Sequence, residues 1–227
     1  MSEFDQFAYQ YQSILDDSLS LFGGFNDYYL LKKVDLIKKN TKQINIQSIL
    51  DFGCGLGKTS SMLKNLFIES RVVGMDISEL SLNRARQHSP NVEFGCVSDK
   101  AFMDSCVNAF DIIYIANVFH HISPEKRSNI INLLKSMLKN NGEIFFFEHN
   151  PYNPITRFIV SRCKFDKNAI LLSPQESRVL FENAGFNLQK TYYLIFFSYK
   201  LRCISNLEFL LSWLPIGAQY SIFLTKK

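Results

Sequence analysis

The fold is decided by the stretch Ile49-Leu50-Asp51-Phe52-Gly53-Cys54-Gly55-Leu56-Gly57. An apolar run leads into three glycines at alternate positions, and the residues from Lys58 onward have a helical composition. Glycines let the backbone approach a ligand, and the N-terminus of the following helix offers free N–H groups and partial positive charge. The spacing G-x-G-x-G differs from the dinucleotide motif G-x-G-x-x-G, and Phe52 stands where a P-loop begins with glycine. The stretch therefore predicts a strand, a ligand-binding turn and a helix.

Outward from this stretch, apolar runs alternate with helical segments. Because the runs are apolar on both sides, they predict a parallel sheet that is covered by helices on both faces. The predicted strands are Ile46–Phe52, Arg71–Met75, Val92–Cys96, Phe110–Ala116 and Glu143–Phe147, and the predicted helices are Lys58–Phe67, Ser78–His88 and a segment from Ser123 to Lys139.

The flanking regions have other patterns. Residues 5–40 predict two helices that are broken at Gly23-Gly24. A capping box at Ser173-Pro174-Gln175-Glu176 begins a helix that ends near Gly185. A strand (186–197), a helix (200–212) and a last strand (218–225) follow, and the two strands are expected at an antiparallel edge of the same sheet.

Composition excludes several classes of protein. The chain has 227 residues, of which 47% are hydrophobic and 20% charged, so it is neither disordered nor fibrous. A net charge of +4 without a dense basic run argues against a nucleic-acid partner. Five cysteines without a CxxC pair fit a reducing, cytoplasmic setting, and no signal peptide or transmembrane helix is expected. We expect a solvated helix face to carry Lys32, Lys33, Lys38, Lys39 and Lys42, and the alternative is a weak contact with an anionic surface.

Three carboxylates follow three successive strands. Asp76 lies 19 residues after Gly57, where an acidic residue can accept both hydroxyls of a ribose. Asp51 places a carboxylate beside the glycine turn, which suits a ligand with an ammonium group. Asp99 follows the third strand, where it could meet an adenine amino group. Ribose, ammonium and adenine together describe S-adenosylmethionine.

The segment 46–122 resembles class I (Rossmann-like) S-adenosylmethionine-dependent methyltransferases, and in particular their small-molecule branch with the ubiquinone/menaquinone-type enzymes. The motifs that carry this resemblance are Leu50–Gly57, Val73-Gly74-Met75-Asp76-Ile77-Ser78, Ser98-Asp99, Phe110-Asp111-Ile112-Ile113 and Asn117-Val118-Phe119-His120-His121-Ile122.

The resemblance implies a cofactor site and a fold. Asp51 and the glycine loop, with Cys54 in it, would face the methionine portion, Asp76 with Ile77 the ribose, and Asp99 with Lys100 or Ala101 the adenine. Asn117 would line the methyl-transfer site, and the product would be S-adenosylhomocysteine. The expected cofactor-binding residues are Asp51, Gly53, Cys54, Gly55, Gly57, Asp76, Ile77, Asp99, Lys100 and Asn117.

We expect a single α/β domain over residues 1–227, with a doubly wound, seven-stranded, mostly parallel sheet and an antiparallel C-terminal edge. Its parts would be a helical cap (1–42), a cofactor-binding core (46–150), an acceptor-lid region (151–215) and the final strand (216–227).

Three histidines follow the fourth and fifth strands, at the edge where open α/β sheets bind ligands. A hydroxyl acceptor benefits from a base with a pKa near the operating pH, so His121 or His149, together with Glu148, is a candidate catalytic group. His120 is a candidate substrate contact. The alternative is that these imidazoles only pack and hydrogen-bond. Because no regular ligand spacing is present, no metal site is expected.

Acceptor specificity is expected in the variable parts. Tyr152 in the turn Glu148–Pro154 and Tyr11 near the N-terminus are candidate substrate contacts, and the apolar stretch Leu207–Pro215 could cover a greasy substrate or touch a membrane. We expect in-line methyl transfer to a small-molecule hydroxyl, either on a sugar or glycan precursor or on a lipid-like or phenolic metabolite. The alternatives are a non-catalytic S-adenosylmethionine-binding partner subunit and an NAD-dependent oxidoreductase; the oligomeric state is open.

Overall fold

A computed structural model describes residues 26–163 and 166–226 of the chain. The described residues form one seven-stranded sheet with helices on both faces. The strands are β1 (Ser48–Phe52), β2 (Arg71–Asp76), β3 (Glu93–Cys96), β4 (Phe110–Ala116), β5 (Leu138–His149), β6 (Phe186–Leu194) and β7 (Gln219–Lys226). The α-helices are α1 (Asn26–Asn40), α2 (Lys58–Leu66), α3 (Glu79–His88), α4 (Lys100–Ser105), α5 (Pro124–Met137), α6 (Pro154–Arg162), α7 (Pro174–Asn183) and α8 (Glu208–Leu211).

The strand order is β3-β2-β1-β4-β5-β7-β6. Strands β1 to β5 pair in parallel, whereas β7 lies antiparallel between β5 and β6. This confirms the predicted mostly parallel sheet with an antiparallel C-terminal edge. Since the carboxyl ends of β1 to β5 meet at one edge, the loops that follow these strands also meet there.

The sheet separates two apolar cores. Alternate residues of a strand point to opposite faces, so Leu50 and Ile113 enter one core while Ile49 and Ile112 enter the other. The first core is closed by α5 and α7, and the second by α1, α2 and α3. Burial of each such side chain contributes about 1.5–3 kcal/mol, which is why the runs that are apolar on both sides became central strands.

Several predicted boundaries were wrong. Helix α5 ends at Met137, and β5 begins at Leu138 with a shift in register against β4. The expected helix at 200–212 is a 3-10 segment, Tyr199–Leu207, followed by the short α8. Strand β6 stops at Leu194, because Ile195 adopts a positive φ of 62°.

Two helices were not expected from the sequence. Helix α4 has only six residues, and its N-cap is Asp99. Helix α6 begins after the N-cap Asn153, with Pro154 at its first position, within the segment that was interpreted as a rigid turn. An N-cap followed by proline is a helix start signal that was available in the sequence.

Helix α1 corrects the prediction for the lysines. Its buried side chains Tyr29, Lys33 and Ile37 recur every four residues, so Lys33 belongs to the apolar stripe of the helix. Only 2% of Lys33 is exposed, and the prediction that it lies on a solvated face was wrong. The first predicted helix and the break at Gly23-Gly24 lie outside the described residues.

Candidate cofactor and acceptor site

The glycine loop after β1 leans on the end of β2. The amides of Gly53 and Cys54 donate to the carbonyl oxygen of Met75 at 2.7 and 3.0 Å. All three glycines have positive φ values, of 76° at Gly53, 53° at Gly55 and 75° at Gly57. Glycine adopts this conformation at little cost, so the loop can turn sharply and direct the N-terminus of α2 toward the carboxyl edge of the sheet.

Two of these glycines face different surroundings. A Cβ atom on Gly57 would lie 2.7 Å from the Phe94 ring and 2.9 Å from the Ala85 side chain. A Cβ atom on Gly55 would meet nothing within 4 Å. Gly57 therefore serves close helix packing, whereas the Gly55 backbone borders open space.

Asp76 stands at the carboxyl end of β2, beside the glycine loop. Its Oδ2 atom accepts a hydrogen bond of 2.8 Å from the Gly55 amide, and its Oδ1 atom accepts one of 2.9 Å from the Ser78 amide. The side chain is half-buried, and the following Ile77 is 59% exposed. The carboxylate is thus fixed at the edge where the ribose was expected.

Asp99 and Lys100 follow β3, the neighbour of β2. Asp99 caps α4 by accepting a hydrogen bond of 3.1 Å from the Phe102 amide through Oδ1. Both Asp99 and Lys100 are exposed at the same edge as Asp76. Their assignment to the adenine stays a prediction.

Asp51 is buried behind the glycine loop. Its carboxylate accepts a hydrogen bond of 2.6 Å from the Ser60 hydroxyl of α2. Burial raises the pKa of Asp51 to about 7; the Ser60 hydrogen bond opposes this shift, and the nearby Asp76 carboxylate adds to it. A cation placed beside Asp51 would favour its ionised form.

Lys33 approaches the same region from α1, and sequence reasoning missed it. Burial lowers the pKa of its ammonium to about 8, although the charges of Glu148 and Asp51 oppose this shift. Among residues 26–163 and 166–226, no carboxylate lies within ion-pair distance of the Lys33 ammonium. The spacing of four from Tyr29 and Ile37 was the signal that could have revealed its burial.

Asn117 follows β4 in a left-handed conformation, with φ at 57°. Its amide donates to the Phe147 carbonyl oxygen at 2.9 Å, and its Oδ1 atom accepts a hydrogen bond of 3.1 Å from Gln219 of β7. The Oε1 atom of Gln219 is buried without a hydrogen-bond partner in the described part of the chain. Buried acceptors without a partner are rare, and a ligand bound beside Asn117 would supply one.

The structure brings together five titratable side chains, which we term the imidazole cluster: His120, His121, His149, Glu148 and Asp166. The Glu148 carboxylate is fully buried, where it accepts hydrogen bonds of 2.7 Å from the Phe119 amide and 2.6 Å from His120 Nδ1. We expected Glu148 to support His121 or His149, but the structure pairs it with His120.

This pairing controls the charges of the two groups. Burial would lower the pKa of His120, but the carboxylates of Glu148 and Asp166 outweigh burial and raise it to about 9. Burial would raise the pKa of Glu148, yet the charge and hydrogen bond of His120 lower it to about 2. His120 is buried between two carboxylates, which differs from the direct substrate contact that was expected of it.

His121 and His149 are the partly exposed imidazoles of the imidazole cluster. Their rings lie 4.0 and 5.0 Å, centroid to centroid, from the ring of His120. Burial and the charge of His120 lower the pKa of each to about 4. Their role as proton acceptors stays a prediction.

Asp166 was not identified from the sequence. It lies in the segment between α6 and α7, about 45 residues beyond His120 and His121, and no motif marks it. Only the folded chain places its carboxylate beside the two imidazoles.

Large apolar side chains are exposed in the turn after β5 and around α8, and we term this set the apolar rim. Tyr152 is 58% exposed in the turn before α6, and large side chains are exposed on and around α8, with Trp213 at 72%. These exposed residues are Leu207, Phe209, Leu210, Trp213 and Ile216. Within the described ranges, no helix is both long and apolar enough to cross a membrane. Tyr11 lies outside the described residues.

The residues present fit S-adenosylmethionine. Open space borders Gly55, a fixed carboxylate stands at Asp76, and the orphaned Gln219 oxygen lies next to Asn117. The expected residues Asp51, Gly53, Cys54, Gly55, Gly57, Asp76, Ile77, Asp99, Lys100 and Asn117 all lie at the carboxyl edge of the sheet.

Comparison with known proteins supports the same interpretation. A family model described as a methyltransferase domain matches residues 49–142. Trans-aconitate 2-methyltransferase of Variovorax paradoxus is 39% identical over 66 residues, which cover 29% of this chain and 25% of that protein. Protein 235L of Invertebrate iridescent virus 6, named as a candidate methyltransferase, is 27% identical over 44% of this chain and 46% of its own. The chain thus spans half or less of the length of the relatives that it matches.

Solved structures share the whole architecture. A methyltransferase of Archaeoglobus fulgidus that depends on S-adenosylmethionine matches 92% of this chain and 97% of its own, with a TM-score of 0.67 and 18% identity. Magnesium protoporphyrin IX methyltransferase of Synechocystis PCC 6803, solved with bound S-adenosylhomocysteine, matches 99% and 96%, with a TM-score of 0.67 and 14% identity. At these identities the likeness shows a shared fold. Residues 49–142 thus match a methyltransferase domain, and the chain has the Rossmann-like fold of class I S-adenosylmethionine-dependent methyltransferases.

Proposed function

We propose that the protein transfers a methyl group from S-adenosylmethionine to a hydroxyl oxygen of a small molecule. The observation that carries this proposal is that the glycine loop and the imidazole cluster lie at the same edge of the sheet, after neighbouring strands. The match of a methyltransferase domain to residues 49–142 supports it.

When bound, S-adenosylmethionine would supply a methyl group on a positively charged sulfur. An acceptor oxygen would attack the methyl carbon in line with the breaking carbon–sulfur bond, and S-adenosylhomocysteine would leave. The protein's main task is alignment, since holding the two reactants in position provides much of the rate acceleration. Asp76 would hold the ribose and the Gly55 backbone would adjoin the methionine portion. Asn117, fixed by Gln219, would line the space where the acceptor oxygen approaches.

The surroundings of this space favour a hydroxyl on a partly apolar molecule. His121 and His149 are partly exposed there, and an imidazole can hold a hydroxyl by a hydrogen bond and take its proton. The exposed apolar side chains around α8 support an acceptor of lipid-like or phenolic character. A sugar or glycan precursor on an apolar carrier also combines a hydroxyl group with an apolar part.

The match to trans-aconitate 2-methyltransferase covers too little of either chain to assign that protein's substrate to this one. No dense basic surface run accompanies the core, so the proposal includes no nucleic acid. None of the five cysteines, all of which lie among the described residues, forms a disulfide, and this agrees with the proposed cytoplasmic setting.

The test is transfer of a labelled methyl group from S-adenosylmethionine to a panel of phenols, hydroxylated lipids and lipid-linked sugars. We expect incorporation into at least one hydroxylated acceptor, and a loss of tenfold or more in kcat for His149→Ala with unchanged cofactor affinity. The exposed His88→Ala serves as the matched control. If S-adenosylhomocysteine binds but no acceptor is methylated, the non-catalytic binding subunit replaces the proposal.

A further inference from the structure

Three metal-ligand side chains from two distant parts of the chain meet beside the ends of β4 and β5. His120 Nε2 lies 3.3 Å from Asp166 Oδ1, and His121 Nε2 lies 3.5 Å from the same oxygen. The three ligand atoms all lie within 4.8 Å of one another. We propose that His120, His121 and Asp166 form a binding site for a divalent transition metal ion, best matched by zinc.

The distances suit ligands around a shared ion. Charge-assisted N–H···O bonds measure about 2.7–2.9 Å, so 3.3 and 3.5 Å are long for direct pairing. Metal–ligand bonds of about 2.0–2.2 Å in a tetrahedral site separate two ligand atoms by roughly 3.3–3.5 Å. The spacing of both imidazoles from Asp166 therefore corresponds to the edge of such a tetrahedron.

A second carboxylate orients His120 from behind. Glu148 accepts a hydrogen bond of 2.6 Å from His120 Nδ1. The other ring nitrogen of His120, Nε2, therefore faces Asp166. The Phe119 amide fixes the other Glu148 oxygen at 2.7 Å. A carboxylate that accepts the N–H of a ligating imidazole is the usual outer support of a metal site, and it raises the basicity of the ligand.

Hydrogen bonds to backbone oxygens connect the segment that carries Asp166 to the 3-10 turn Phe119–His121 and the residues after it. The Ile170 amide donates to the His120 carbonyl oxygen at 2.8 Å. The buried Arg127 of α5 donates to the carbonyl oxygens of both Ile122 and Ile170, at 3.0 and 2.7 Å. These three bonds hold the two halves of the proposed site together, so the ligands are positioned before an ion arrives.

The ligand set indicates which ion would bind. Two imidazole nitrogens and one carboxylate oxygen suit zinc and its first-row neighbours, whereas magnesium prefers oxygen ligands. His121 and Asp166 are partly exposed, so a fourth position remains accessible to water or to a small molecule. A bound ion would occupy His121, which leaves His149 as the imidazole that receives the acceptor hydroxyl in the proposed methyl transfer.

The test uses the full-length chain, without a histidine tag, after treatment with a chelator. Titration with cobalt(II) is followed by visible absorption, and titration with zinc by calorimetry. We expect one ion per chain with the visible bands of four- or five-coordinate cobalt. We also expect at least a hundredfold loss of zinc affinity in His121→Ala and in Asp166→Ala. The exposed His88→Ala is the matched control and should bind zinc as the wild type does.

Glu148→Gln tests the outer support, and zinc affinity should fall about 10–100-fold. The folding of each variant is checked by thermal unfolding and circular dichroism. The proposal is overturned if the wild type binds no stoichiometric ion, or if the His121 and Asp166 variants bind zinc normally. A thiolate-to-cobalt charge-transfer band would place the ion on a cysteine and also overturn it. The metal titrations contain no cofactor, so their result is independent of S-adenosylhomocysteine binding. Failure of metal binding would leave the proposed cofactor site untouched, and failure of S-adenosylhomocysteine binding would leave the metal result untouched.

Discussion

The Asp76 carboxylate accepts a hydrogen bond of 2.8 Å from the Gly55 amide, and this bond joins the carboxyl end of β2 to the glycine loop of β1. One carboxylate thus fixes the loop and stands at the expected ribose position. Loop geometry and cofactor affinity are therefore coupled through a single side chain.

Replacement of Asp76 tests this coupling. In Asp76→Asn, affinity for S-adenosylhomocysteine should fall about 10–100-fold, since a hydrogen bond to a charged group contributes about 1.5–3 kcal/mol. Calorimetric titration measures the change. Asp35→Asn, on the exposed face of α1, is the matched control and should bind normally. Unchanged affinity in Asp76→Asn would remove this residue from the cofactor site.

A pair of glycine variants separates fold from ligand space. Gly57→Ala should lose about 3 kcal/mol of unfolding free energy, because its Cβ atom would collide with Phe94 and Ala85 at a positive φ. Gly55→Ala should lose only about 1 kcal/mol, because its Cβ atom would enter open space.

The same open space should hold the cofactor, so Gly55→Ala is expected to bind S-adenosylhomocysteine at least tenfold more weakly. Urea unfolding and calorimetry measure the two effects. A Gly55→Ala protein with normal affinity would show that the cofactor lies elsewhere.

The buried Asp51 predicts a pH dependence of stability. Its folded pKa of about 7 exceeds the unfolded value of 3.8, so the folded state holds a proton that the unfolded state has already released. The stabilising contribution is complete below about pH 4 and is lost as the pH rises through 7. Besides Ser60, the groups that face Asp51 are Asp76, Lys33, Cys54 and Tyr114.

Asp51→Asn removes this titration. The stability of the variant relative to the wild type should therefore increase between pH 5 and pH 8, by on the order of 2–4 kcal/mol. Urea unfolding at both pH values measures the difference, with Asp35→Asn as the control. A difference that does not change with pH would mean that Asp51 is ionised throughout.

The apolar rim carries a built-in probe. Trp213 is the only tryptophan of the chain and is 72% exposed. If the apolar rim receives a lipid-like acceptor, the fluorescence of Trp213 should shift to shorter wavelength when neutral phospholipid vesicles are added. The reason is that burial lowers the polarity around the indole. Phe209→Ser should weaken this effect several-fold, whereas Ile44→Ser, exposed far from the rim in sequence, should leave it unchanged. An unshifted spectrum would favour an acceptor without a lipid part.

The sequence predicted the fold more completely than the site. Strands such as Phe110–Ala116 are apolar on both sides, and burial between two helical layers is the arrangement that suits them. Each feature of the predicted cofactor site directly follows a strand in the sequence, as the glycine loop, Asp76 and Asn117 do. Their position at the carboxyl edge of the sheet could therefore be predicted. Asp166 could not be, because its partners lie on another part of the chain and meet it only after folding.

Two features had a correct signal in the sequence, but a competing signal favoured another prediction. These features are the burial of Lys33 and the start of α6. A lysine is normally exposed, so composition favoured the solvated face over the four-residue spacing that places Lys33 between Tyr29 and Ile37. Asn153-Pro154 resembles a turn as well as a helix start, and the helical choice depends on tertiary contacts such as the Thr156 hydroxyl with Ala218.

The central claim is that the glycine loop and Asp76 bind S-adenosylmethionine. The most direct test is calorimetric titration of the purified full-length protein with S-adenosylhomocysteine, with NADH as the comparison ligand. Micromolar binding of S-adenosylhomocysteine alone, at one molecule per chain, is the predicted result. Binding of NADH in its place, or of neither ligand, would contradict the account.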